Sequence, residues 1–89
     1  MNIVLDSKRV LNAIYNLLTD SSFTLVVKIP LDSMATDLNI SRERLNLCIH
    51  YLIVSGYITG DFTYYNQPDA TKEVIFTALG INKVENTTL

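Results

Sequence analysis

The twelve residues from Pro30 to Ser41 constrain the fold more than any other stretch, because they hold a helix start, a helix stop and a second helix start. Pro30 has the fixed φ of a first helical turn and lacks an N–H that such a turn does not need. Asp32 follows where the helix dipole favours a negative charge. Leu31, Met34, Ala35 and Leu38 recur at helical spacing and form one apolar side. Asn39 stands where a left-handed residue closes a helix, Ile40 plugs the corner, and Ser41 caps the next helix.

The flanking segments read as helix and strand in turn. Asp6 or Ser7 can cap a first helix whose apolar side is Val10, Leu11, Ile14, Leu17 and Leu18, and Asp20-Ser21-Ser22 stops it. Phe23, Leu25, Val27 and Ile29 alternate with Thr24, Val26 and Lys28, which predicts a strand ended by Pro30. The helix after Ser41 should run from Arg42 to about Ser55, with Leu45, Cys48, Ile49, Leu52 and Ile53 inward and Gly56 as its C-cap. Tyr57 to Tyr65 and Lys72 to Thr77 read as two strands of a hairpin, joined by the turn formers from Asn66 to Thr71. Thr77 can cap a last helix from Ala78 to about Glu85, which Gly80 weakens slightly relative to Ala. Residues 1–5 and 87–89 are expected to be frayed ends of a single domain spanning 1–89.

Composition narrows the class. Hydrophobic residues are 48% and charged residues 18% of the 89, enough for a core and no case for disorder. Apolar runs such as Leu25 to Val27 are far too short to span a bilayer, so no membrane role is expected. Met1 to Leu5 lacks the basic leader of a secretory signal, and the glycosylation pattern at Asn86-Thr87-Thr88 is read as chance. Cys48, the single cysteine, can form neither an internal disulfide nor a multi-thiolate zinc site, and a cytoplasmic location is expected. Net charge is −2, with Lys8, Arg9 and Lys28 set against Asp6 and Asp20 in the first thirty residues. The remainder is slightly acidic, and no segment is strongly basic. Any footprint for phosphate must therefore be small and local.

Helix, strand, helix, tight turn, helix, hairpin, helix is an α+β order that resembles a winged helix-turn-helix: a three-helix core, a β-hairpin wing and a short C-terminal helix. Leu31 to Ser41 resembles that family's second helix and turn, with Ala35 in the small position where two helices cross closely. Leu-Ile-Val-Ser-Gly-Tyr-Ile, from Leu52 to Ile58, resembles the family's exit from recognition helix into wing. The resemblance covers about residues 8–86. The ending from Phe76 to Asn86 is similar to the closing helix of small YjcQ-like proteins of firmicutes and their prophages. The resemblance implies a DNA-binding transcription regulator, acting as a dimer, with its third helix in the major groove and its hairpin on the backbone or in the minor groove.

On that reading Arg42, Arg44 and Asn46 would contact bases, since Arg suits guanine edges and Asn suits adenine, with Lys28 and Lys72 as the further DNA-contact candidates. Steps of about 100° per residue place Leu47 and Val54 nearly opposite Leu45, with His50 on the same outer side. Exposed Leu and Val gain by meeting an apolar surface, whereas a groove-reading helix needs donors there. Ile58 and Ile75 are expected on one side of the hairpin, with Phe62, Tyr64, Val74 and Phe76 crowding the other. Leu47, His50, Tyr51, Val54, Phe62 and Tyr64 are therefore the candidate protein interface, and a homodimer is its first expected use. The alternative function is a phage or mobile-element module that keeps the winged-helix scaffold and binds protein without DNA.

Catalysis is not expected. His50 is the single histidine, and it lies i+2 from Cys48, so the two do not face each other on a helix. The carboxylates are spread over caps and turns, and three separated glycines make no phosphate loop. No cofactor or metal is called for.

Overall fold

Helix caps and left-handed corners divide the chain into seven elements in the computed structural model, which describes residues 2–19, 24–63 and 66–85. They are α1 (Ile3–Tyr15), β1 (Val26–Pro30), α2 (Leu31–Leu38), α3 (Arg42–Val54), β2 (Ile58–Thr59), β3 (Thr71–Phe76) and α4 (Ala78–Glu85). The architecture is α+β: helices packed on one face of an antiparallel sheet of order β1-β3-β2.

The α2–α3 corner forms as its residue types dictate. Asn39 adopts the left-handed conformation at φ 57°, and the Ile40 N–H donates back to the Ala35 carbonyl at 3.0 Å. Ser41 Oγ then accepts the Arg44 N–H at 3.0 Å and starts α3. Gly56 follows α3 at φ 84°, and the Tyr57 N–H closes the helix on the Leu52 carbonyl. Both stops use a residue that tolerates positive φ.

Several boundaries depart from the sequence reading. Asn2, not Asp6 or Ser7, caps α1, and the helix begins at Ile3 within the residues expected to fray. Ser7 is instead buried against the core, and α1 stops at Tyr15, short of Leu17 and Leu18. Leu25 has φ 60° and is exposed, so β1 starts one residue later. Phe23, like Asp20-Ser21-Ser22 and 87–89, lies outside the described residues. β2 is two residues long where nine were expected, because the chain leaves the sheet after Thr59. Ile58 pairs with Phe76 and so shares its face with Val74 and Phe76, while Ile75 stands on the outer face between Val26 and Thr59. Register, which flips every side chain with a one-residue slip, decided this.

The core gathers Val10, Leu11 and Ile14 of α1, Ile29 of β1, Leu31 of α2, Leu45, Ile49 and Leu52 of α3, and the inner face of β3. α4 is fastened across one end. Thr77 Oγ1 accepts the Gly80 N–H at 3.0 Å and lies 2.6 Å from the Gly56 carbonyl oxygen, while the Tyr57 carbonyl accepts the Thr77 N–H at 3.2 Å. This brings Gly80 so close to the Tyr57 peptide that a Cβ there would overlap its carbonyl oxygen. Gly80 is therefore required for close approach, a role that helix propensity alone does not reveal.

Candidate functional site

α3 has a buried side, Leu45, Cys48, Ile49 and Leu52, and an outer side that carries the candidate residues. The arginines at its start do not point outward. Arg42 donates to the Asp32 carboxylate of α2 and to the Gln67 carbonyl. Arg44 brings two nitrogens to one oxygen of Asp6 of α1, Nε at 2.8 Å and Nη2 at 2.7 Å from Oδ2. The third arginine of the chain, Arg9, donates to the Leu38 carbonyl at the end of α2 at 2.7 Å. Asn46 turns its amide back to the Arg42 carbonyl of its own helix at 2.9 Å.

The two lysine candidates divide. Lys28 is exposed on the outer face of the sheet, opposite Glu73 in the β1–β3 register. Lys72 is 3% exposed, and its ammonium reaches the Asp61 carboxylate at 2.8 Å, the Asp61 carbonyl at 2.9 Å and the Thr63 carbonyl at 3.3 Å. It sits on the inner face of β3 because it follows the parity of Val74 and Phe76. Lys72 is thus an internal anchor for residues 61–63 and has no outward charge to offer phosphate.

That anchored segment returns over α3. The Phe62 ring lies 4.7 Å from the His50 ring, although Phe62 remains 63% exposed. Between segment 61–63 and the outer side of α3 lies a groove of about 410 Å³, lined mainly by Leu47, Ile53, His50 and Phe62, with Glu43 and Asn46 at one end. Leu47 is 42% exposed and Val54, further along the same side, 66%. Tyr51 is half-buried at the flank, and Tyr64 lies outside the described residues. The groove thus unites Leu47, His50 and Phe62 from the sequence-predicted interface. It adds Glu43, Ile53 and the Asp61–Lys72 pair, which no periodicity marked because they meet only through the early exit of β2 from the sheet.

Two carboxylates are held below their ordinary range. Asp32 accepts the Asp69 N–H at 2.9 Å and the Arg42 guanidinium, and Asp61 accepts the Lys72 ammonium and the Thr63 N–H at 3.1 Å. Each group's folded pKa is lowered, so its contribution is fully present above the ordinary value of 3.8 and is lost as pH falls below it through the depressed folded value. In denaturant titrations at stepped pH, Asp32→Asn and Asp61→Asn should each flatten this acid limb. A limb as steep as wild type in both variants would show that neither pair contributes.

Burial pushes the Cys48 thiol up, which keeps it protonated within the core. No helix among the described residues is long and apolar enough to cross a membrane. No family model, curated protein or solved structure matches the chain.

Proposed function

We propose that this chain is a winged-helix binding module whose third helix meets a protein surface in place of duplex DNA. The element order from α1 to α4 supports the scaffold, with the α2–α3 corner as the helix-turn-helix and β2–β3 as a much-shortened wing. One observation carries the choice of partner. Of the seven Lys and Arg residues, Arg42, Arg44 and Lys72 are largely buried in ion pairs, and Arg9, half-exposed, is turned to the Leu38 carbonyl and to Asp6. Lys8, Lys28 and Lys83 remain exposed, one each on α1, β1 and α4. Three dispersed lysines make a poor phosphate footprint, and the side of α3 that would enter a major groove presents Leu47, Val54 and a groove walled by Phe62.

Fluorescence anisotropy against random-sequence duplex DNA at stepped salt tests this reading. Neutralising Z phosphates gives a log–log salt slope near −0.9Z, so three lysines allow a slope no steeper than about −2.7. The expected result is no saturable binding, or a slope within that limit. Saturable binding with a steeper slope would overturn the protein-binding reading and restore a DNA-binding regulator, since it requires cations now tied to Asp6, Asp32 and Asp61 to let go.

A further inference from the structure

We propose that the groove on α3 receives the first turns of α1 from a second copy of this chain; this rests on the protein-binding reading above. The groove is apolar through Leu47, Ile53 and Phe62, and Glu43 is exposed at its end. The second carboxylate at the groove, Asp61, is matched by Lys72, so the surface as a whole is apolar with one net negative charge. Its complement is an apolar anchor with a cation beside it.

α1 displays that combination on its outer side. Val4 is 59% and Leu5 55% exposed, although both stand in a regular helix whose opposite side is fully buried. Lys8 lies one turn on, i+4 from Val4 and i+3 from Leu5, so the three form one patch. Unlike Arg9 beside it, Lys8 makes no ion pair among the described residues. Anchor and groove are both exposed in one molecule, so the contact is made between molecules. Where each copy lends its anchor to the other's groove, the assembly closes on a two-fold axis and stays dimeric.

Light scattering and sedimentation on the full chain test the arrangement. Wild type should be dimeric at micromolar concentration. Val4→Glu removes the anchor and Leu47→Glu removes the groove, and each should yield a monomer whose circular dichroism matches wild type, because both positions are exposed, and whose melting matches that of wild type diluted until it dissociates. Mixing the two monomeric variants should then recover a complex, weaker than the wild-type dimer, because one intact anchor still meets one intact groove. A groove-to-groove contact would give no recovery on mixing. A monomeric wild type, a dimer untouched by either variant, or a mixture that stays monomeric each overturns self-docking. Those failures leave the protein-binding reading standing, whereas a steep salt slope on DNA undoes both.

Discussion

Gly80→Ala is expected to be the most harmful glycine substitution in the chain, lowering stability by about 2–3 kcal/mol. Its new methyl group would meet the Tyr57 carbonyl oxygen, with the carbonyl carbon only 2.9 Å away. The obstacle is backbone, so α4 must shift as a body, and Thr77 then loses its short contacts with the Gly56 and Tyr57 carbonyls. Ala gains about 1 kcal/mol over Gly in helix propensity, which offsets only part of the overlap. Gly56→Ala should cost about 1 kcal/mol, because a Cβ at φ 84° is strained while nothing lies within 4 Å of it. The sequence alone ranks these two the other way, with Gly56 first. Urea midpoints of the two variants, at unchanged m-value, decide the order. A Gly56→Ala midpoint below that of Gly80→Ala would mean that α4 slides off the Tyr57 peptide at little cost.

In protein dilute enough to be monomeric, Leu45→Ala should lower stability by about 2–5 kcal/mol, whereas Leu47→Ala should change it by no more than about 0.5 kcal/mol. The two leucines are neighbours on one helix, but Leu45 is fully buried and Leu47 is 42% exposed on the groove. Truncating Leu45 leaves a cavity that α1 and the sheet can fill only by moving. Truncating Leu47 removes surface that water already reaches. Chemical denaturation of both variants, followed by the sizing experiment, separates the roles of the two faces. If Leu47→Ala is as costly as Leu45→Ala, the outer side of α3 is part of the core and offers no docking surface.

Most of the helical architecture is legible in the sequence, and the reasons are local. Asn39, Ser41 and Gly56 act through their own backbone conformations and caps, so residue type suffices to place them. The ends of β1 and β2 were not legible, because strand limits depend on which partner lies alongside. Between Tyr57 and Tyr65 the one local sign of the exit after Thr59 is Gly60-Asp61, two residue types disfavoured in strands. The outer positions Leu47, His50 and Val54 follow from helical period alone. Arg42, Arg44 and Lys72 read as outward cations because their partners, Asp32, Asp6 and Asp61, are ten to thirty-eight residues away in sequence. Long-range charge pairing has no period to betray it. Substituting those two arginines is accordingly expected to weaken the fold, where the resemblance implies a loss of DNA affinity.

The three arginines form a closed circuit. Arg9 links α1 to α2, Arg42 links α2 to α3, and Arg44 links α3 back to α1. Cut any one link and the remaining two still connect all three helices; cut two and one helix loses its arginine ties to the other two. Such a ring is redundant to its first loss, so the cost of the second should exceed the cost of the first, whichever comes first. Neighbouring polar groups commonly show non-additive energies of this kind. The ring also gives salt a particular effect: ions that weaken all three links together remove the redundancy itself, and single-arginine variants should become more salt-sensitive than the parent.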